Sequence, residues 1–287
     1  MPESAIEPDS FAPRGAPAGG RRVPSDSARS WLLTVLGEYV LPRGGPVWTA
    51  TFVDALGGLG VEPMAARQAL ARTASDGWLA STRSGRRTQW RLTGDGERLL
   101  RDGARRIYGF APSAAAWDGR WLVLMVSVPE SRRQARHIIR TRLAWAGFGS
   151  PAPGVWICAH AAAEAEAKQV LDDLGLVDDA VSFVGPFGGI GSASELVGRA
   201  WDLDAVATHY RTFLDLVDGL RPSAPRETLL AQVRLVHAWR RMPLIDPRLP
   251  ADLLPPDWIG QTAAETFRHR HDAWSVAAQA AWATMCD

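Results

Sequence analysis

Between Ala28 and Arg106 the spacing of apolar residues changes from helical to alternating and back, and this sequence of changes constrains the fold most. Ala28 to Tyr39 (ARSWLLTVLGEY) has apolar residues at helical spacing, with Ser27 or Asp26 placed to cap its first turn. Leu41-Pro-Arg-Gly-Gly-Pro46 reads as a loop. Thr49 to Leu59 predicts a second short helix, capped by Thr49 and ended by Gly60. A third helix starts near Glu62-Pro63, where proline suits the first turn, and runs to Asp76 before stopping at Gly77. Trp78 to Thr82 and Thr88 to Leu92 then predict two strands around the turn Arg83-Ser-Gly-Arg-Arg87. Thr93 caps a further helix through Arg106. Helix, helix, helix, strand, basic turn, strand, helix is the order of a winged helix-turn-helix.

That order suits DNA. In such a unit the third helix enters the major groove, where each base pair shows a distinct pattern of donors and acceptors. Ala66, Ala69, Leu70 and Thr73 fall on one face of this helix and are expected to pack inward, which leaves Arg67, Gln68, Ala71 and Arg72 outward. Arginine can contact guanine, and glutamine adenine, through two bonds each. Arg83, Arg86 and Arg87 at the hairpin tip, with Gln89 and Arg91 on the return strand, suit phosphates or the minor groove. Charge follows the same division. Residues 25–110 hold 12 basic and 8 acidic side chains, whereas residues 164–218 hold 3 basic and 11 acidic ones. A basic patch on a nearly neutral chain (net +1) fits a polyanion site on one domain, and solvated helix faces would give the same count.

Residues 1–24 are rich in Pro, Gly, Ala and Ser and read as a disordered tail. The winged helix is expected over residues 25–110. Residues 111–192 read as a ferredoxin-like α/β domain, with strands at Trp121–Val128, Val155–Cys158 and Val181–Val184. Helices are expected from Pro129 to Trp145 and from Glu164 to Leu174. Residues 193–287 read as an all-helical domain, with Ser194 as a cap and helices over 203–220, 226–242 and 261–285. The expected class is therefore α+β and multidomain. An apolar share of 46% excludes a fully disordered, collagen-like or disulfide-framework chain. The longest apolar run, Trp121–Val126, is too short to span a membrane. With two cysteines and no signal-peptide pattern, the expected location is the cytoplasm.

Several stretches resemble the PaaX-like transcriptional regulators, a family named for the repressor of phenylacetic acid degradation. They are Gly37-Glu-Tyr-Val-Leu-Pro-Arg-Gly-Gly45, Asp76-Gly-Trp-Leu79, Arg105-Arg-Ile-Tyr-Gly109 and Trp117-Asp-Gly-Arg-Trp121, then Gly147-Phe-Gly149, Pro153-Gly-Val-Trp-Ile157 and Ala200-Trp-Asp-Leu-Asp204, and last Asp246-Pro-Arg-Leu-Pro-Ala-Asp-Leu-Leu-Pro-Pro-Asp-Trp258. The resemblance covers about residues 27–275. It implies an N-terminal winged helix, a middle Cas2-like ferredoxin fold and a C-terminal helical domain. It also implies a homodimeric repressor on a palindromic double-stranded DNA operator, and in the founding branch a phenylacetyl-CoA effector. The sequence departs from the family at Thr73 and Ala71, where large apolar residues are usual.

An acyl-CoA needs cations for its phosphates and an apolar slot for its acyl group. Arg105, Arg106, Arg120, Arg132 and Arg133, with Trp117 and Trp121 and the nearby Trp145 and Trp156, offer both; the tryptophans equally suit a core. No other cofactor is expected. A Cas2-like metal-dependent nuclease is the alternative, but it would place an aspartate near the end of the first strand, where Leu124-Met-Val-Ser127 has none. A protein-interaction module with a degenerate winged helix is another. Cys158 and His160 share a strand face without a second ligand pair, so a buried free cysteine is expected there and neither a metal site nor a catalytic residue is assigned. His269 and His271 flank Arg270 in a run expected to be a solvated helix face.

Overall fold

In a computed structural model of the chain, which describes residues 27–112 and 117–287, the first helix starts where its sequence supplies a cap. The Ser27 Oγ accepts the Ser30 amide at 3.2 Å, and α1 (Ala28–Val35) follows. The tail expected over residues 1–24 lies outside the described residues. α1 continues through a π-helical turn, Leu36–Val40, into the short α2 (Leu41–Arg43) and stops at Gly44, whose φ of +68° favours glycine. The loop expected from Leu41 is thus partly helical. β1 (Val47–Trp48), α3 (Thr49–Gly57), α4 (Pro63–Ser75), β2 (Leu79–Ser84), β3 (Arg87–Leu92) and α5 (Gly94–Tyr108) complete the first stretch. The strands form an antiparallel sheet in the order β1-β3-β2. Thr93 caps α5 as expected, its Oγ1 accepting the Gly96 amide at 3.1 Å.

The middle stretch runs β4 (Arg120–Val126), α6 (Arg133–Trp145), β5 (Gly149–Ala152), β6 (Val155–Cys158), α7 (Glu164–Leu174), β7 (Ala180–Pro186) and α8 (Ala193–Ala200). Its sheet is antiparallel with the order β5-β6-β4-β7. Alternation along β4 sends Leu122, Leu124 and Val126 to one face, where they pack with Ile139 and Leu143 of α6 and Val170 and Leu171 of α7. Trp121 and Val123 go to the other face, beside Ile157, Val197 and Leu249. Further along that face Met125, Val181 and Phe183 are exposed, and β7 is an edge strand. β5 was not expected, because Gly-Ser-Pro-Ala has no strand-favouring residue. Ser192, and not Ser194, caps α8, in a reciprocal box with Glu195.

The last helices are α9 (Leu203–Gly219), α10 (Pro225–Trp239), α11 (Met242–Ile245) and α12 (Ile259–Cys286). No described helix is long and apolar enough to cross a membrane. Backbone packing divides the chain into two units. One comprises residues up to Phe110 with Phe213–Arg241 and Glu265–Asp287, and the other comprises Ala111–Thr212 with Met242–Ala264. Residues 193–287 therefore contribute helices to both.

The first unit has a core of Leu32, Leu36, Tyr39, Phe52, Leu56 and Leu70 packed with Leu229, Val233 and Trp282. Each such side chain contributes roughly 1.5–3 kcal/mol by leaving water. Within it Glu38, on the π-helical turn, is only 5% exposed. An isolated carboxylate there would cost several kcal/mol. It is met instead by Gln232 Nε2 at 2.9 Å, by His271 Nε2 at 3.3 Å and by the Tyr108 hydroxyl. Gln279 donates to the Glu38 carbonyl at 2.8 Å. His271 is thus not on a solvated face; it packs against Tyr108 and Phe267 and faces Glu38 and Asp272. Burial by itself would lower the His271 pKa, but the hydrogen bond and charge of Glu38 outweigh it, and the pKa is raised above its usual 6.5.

Two measurements follow from this packing. A histidine whose folded pKa is raised stabilises the fold fully below its unfolded pKa, and the contribution is lost as pH rises through the folded value. Raising the pH from about 6 to about 9 should therefore lower the melting temperature of the wild-type chain more than that of His271→Gln; equal losses would remove this coupling. Gly96→Ala reverses the usual helix preference for alanine, because a Cβ there would lie 2.2 Å from the Trp78 carbonyl oxygen. Denaturant unfolding should show a loss of roughly 1–3 kcal/mol.

Candidate nucleic-acid interface

α4 divides into two faces as its 3.6-residue period requires. Ala66, Ala69, Leu70 and Thr73 are buried; Met64, Arg67, Gln68, Ala71 and Arg72 are exposed. The turn before it passes through Gly60 at φ +87°. Thr73, where the resembled family carries a bulkier apolar residue, fits because its hydroxyl donates to the Ala69 carbonyl at 2.8 Å. Arg67 Nη1 rests on the Pro63 carbonyl at 3.2 Å, on the exposed side of the first turn. α4 leads into the hairpin through Asp76, which is held by Arg29.

Leu79, Trp90 and Leu92 share the inner face of the hairpin, and Arg87, Gln89 and Arg91 alternate to the outer face. Gln89 is half-buried between Trp48 and Thr82 on the flanking strands. The Arg87 guanidinium lies 5.8 Å over the Trp48 ring, which holds it to the strand. Arg83 Nε donates to the Gly85 carbonyl at 3.2 Å, in the turn that Gly85 closes at φ +59°. Arg86 is exposed at the tip. From Pro63 to Ser75 and from Leu79 to Leu92 the chain has six arginines and no carboxylate. A surface of this composition attracts a polyanion, and the exposed carboxylates that bound it are Glu62, at the N-cap of α4, and Asp76, which Arg29 neutralises.

Sequence reasoning missed the support beneath the hairpin. Thr49 does not cap α3. Its Oγ1 donates to the Thr88 carbonyl at 3.0 Å and accepts from Trp90 Nε1 at 2.8 Å, tying the helix start to β3. Thr49 stands at a helix start, and nothing in the local pattern shows that its hydroxyl faces a strand some 40 residues away.

The candidate effector residues fall into two groups. Arg105 and Arg106 lie on α5 of the first unit, where Arg105 is paired with Asp102. The others belong to the second unit. Trp121 is buried and packs edge-on against Trp117 and stacked with Trp201. Trp117 Nε1 donates to the Arg120 carbonyl at 3.0 Å. Arg132 donates to the Leu174 and Gly175 carbonyls, at 3.2 and 3.3 Å, and so closes the end of α7. Arg120 and Arg133 are exposed. Cys158 is buried, which pushes its thiol up to about 11, and His160 Nε2 sits 2.8 Å from the Arg248 carbonyl. Among the described residues no three His, Cys, Asp or Glu side chains gather where a metal ion could be held.

Three family models match in chain order: PaaX-like protein over residues 27–96, PaaX protein central Cas2-like domain over 114–197 and PaaX-like protein C-terminal domain over 201–284. The Transcriptional repressor PaaX of Escherichia coli (strain K12) is 32% identical over 250 residues, which are 83% of this chain and 78% of that protein. The chain belongs to the PaaX-like family. Among solved structures, the Uncharacterized protein Rv0674 from Mycobacterium tuberculosis shares the fold, with a TM-score of 0.60 at 21% identity, over 89% of this chain and 98% of that one.

In this PaaX-like chain the resembling motifs are structural joints. Glu38, in the first, is bonded by Tyr108, in the third. Asp118 accepts the Arg120 amide at 2.9 Å around Gly119, which turns the chain at φ +77°. A Cβ on Gly149 would lie 2.5 Å from the Trp201 ring. Asp246 is buried and accepts from the Tyr210 hydroxyl and, at 2.6 Å, from the Arg248 amide.

Thr49→Val keeps the shape of that side chain but strands the Trp90 indole N–H and the Thr88 carbonyl. It should cost about 1–3 kcal/mol in thermal unfolding of the full chain. An unchanged melting temperature would show that water replaces the hydroxyl.

Proposed function

We propose that this PaaX-like transcriptional regulator is a sequence-specific DNA-binding repressor in which residues 25–110 act as a winged helix. The observation that carries this reading is the carboxylate-free surface of α4 and the β2–β3 hairpin. α4 enters the major groove, where Arg67, Gln68 and Arg72 meet base edges. Arg83, Arg86, Arg87 and Arg91 hold phosphates, with Gln89 beside them. The protein works as a homodimer on a palindromic operator, so that two copies of α4 meet two half-sites. The open edge of β7, with exposed Val181 and Phe183, supports self-association. It is a cytoplasmic regulator and not an enzyme.

Release is by a small-molecule effector of a catabolic pathway, of the aryl-acyl-CoA class. The exposed arginines Arg120 and Arg133 of the second unit support an anionic ligand. For release, the effector must prefer a conformation that fits the operator poorly.

The experiment is fluorescence anisotropy of the full chain on DNA from upstream of its own gene, against scrambled competitor, with and without phenylacetyl-CoA. Specific binding lost on adding the acyl-CoA is the expected result; no preference over scrambled DNA counts against the reading. On the preferred site Arg67→Ala should cost about 1–3 kcal/mol and relax base preference at one position. Arg86→Ala should weaken all DNA alike and reduce the slope of log K against log salt by about one. Unchanged affinity in both variants would remove the proposed docking.

A further inference from the structure

Met64 is 64% exposed, and among the described residues it is the one large apolar side chain exposed on α4. It stands on the first turn, just after Pro63, and precedes Arg67, Gln68 and Ala71 by three, four and seven residues. At helical spacing these four share a face. The rest of that ridge is small, Ala71 and Ser75, so Met64 protrudes. The core does not need it, since α4 packs inward through Ala66, Ala69, Leu70 and Thr73.

The major groove offers one apolar group beside its donors and acceptors, the C5 methyl of thymine. Residues at the N-terminal end of a recognition helix are the ones that approach base edges. Helical side chains also lean toward that end. An unbranched thioether adapts its shape to a small apolar target.

We infer that Met64 reads a thymine methyl, next to bases whose polar edges meet Arg67 and Gln68. The inference rests on the DNA-binding reading above. It makes Met64 a specificity-determining residue: a methyl contact displaces no counterion, so its effect is independent of salt, unlike that of the hairpin arginines.

The test begins by selecting duplexes from a random library with the full wild-type chain. Each thymine of the enriched site is then replaced in turn by deoxyuridine, which removes only the methyl, and affinity is read by anisotropy. At one thymine the replacement should weaken wild-type binding about fourfold, the worth of one buried methyl-sized group. Met64→Ala should bind the unmodified site about that much more weakly and be indifferent to deoxyuridine at that position. Met64→Leu, still apolar, should keep the sensitivity, and neither variant should change the salt slope. The inference is overturned if the wild type ignores every methyl, or if Met64→Ala loses as much as the wild type at each thymine. A library that enriches no sequence overturns the base-reading helix itself, and this inference with it. That result is distinct from an enriched site whose methyls are irrelevant.

Discussion

Glu38 lies in a π-helical turn, where one extra residue in the hydrogen-bond ring rotates the following side chains around the helix. That turn carries a carboxylate into an apolar core, and the first unit is arranged to receive it. Tyr108 reaches it from α5, Gln232 from α10 and His271 from α12. Removing one member would leave a buried charge short of a partner, which costs far more than the bond nets when intact. Because the donors come from residues up to 233 positions away, the group can be satisfied only when the last helices are docked. Tyr39 stacked on Trp282 and the Thr51 hydroxyl on the Met285 carbonyl fix the same docking nearby. α4 is held by α1 and α3, whose inner faces share this core. α4 is thus supported by the C-terminal segment of the chain as well as by its own neighbours in sequence.

This long-range docking is also what the sequence hides. The two faces of α4 were legible because a 3.6-residue period decides which side chains meet the core, whatever the core is made of. The Ser27 and Thr93 caps were legible because a cap bonds an amide three residues away. Ser192 was equally legible, since Ser-x-x-Glu at 192–195 is a capping-box spacing, and the competing Ser194 obscured it. β5 was not, because a four-residue strand containing glycine and proline forms only by pairing with β6. His271 and Thr49 were misplaced for a common reason. Each is a polar side chain whose partner is distant in sequence, and local pattern places such residues at the surface or at a cap.

The arginines show why a count of basic residues overstates a binding surface. The chain has one lysine, Lys168, against 31 arginines, so arginine serves every cationic purpose. Its planar fork can bridge two carbonyls at once, as Arg132 does at the end of α7. Arg136 is taken by the Val128 carbonyl and Glu130, Arg142 by Asp173, and Arg226 by Asp54. Those guanidiniums are already engaged within the fold. The arginines of α4 and the hairpin differ in that the contacts shown for them, to the Pro63 and Gly85 carbonyls and to the Trp48 ring, leave their charge uncompensated. What marks the surface is the absence of carboxylates across two adjacent elements, more than the number of cations.

The motifs that resemble the PaaX-like family and the residues proposed to read bases lie in different parts of the chain. In these motifs Glu38, Asp118, Gly149 and Asp246 close turns, pack against a ring or make buried polar contacts, and no motif falls between Pro63 and Ser75 or between Ala80 and Leu92. Joints of this kind tolerate little change, since a Cβ on Gly149 meets a ring and the loss of Asp246 strands a buried hydroxyl. The exposed side of α4 has no such restriction. Met64, Arg67, Gln68, Ala71 and Arg72 bear no weight in the core, so they can vary without cost to the fold. A chain can therefore keep every family joint and still read its own operator. On the proposed reading, therefore, the target of this protein would follow from five exposed side chains on one helix, and not from the motifs that identify its family.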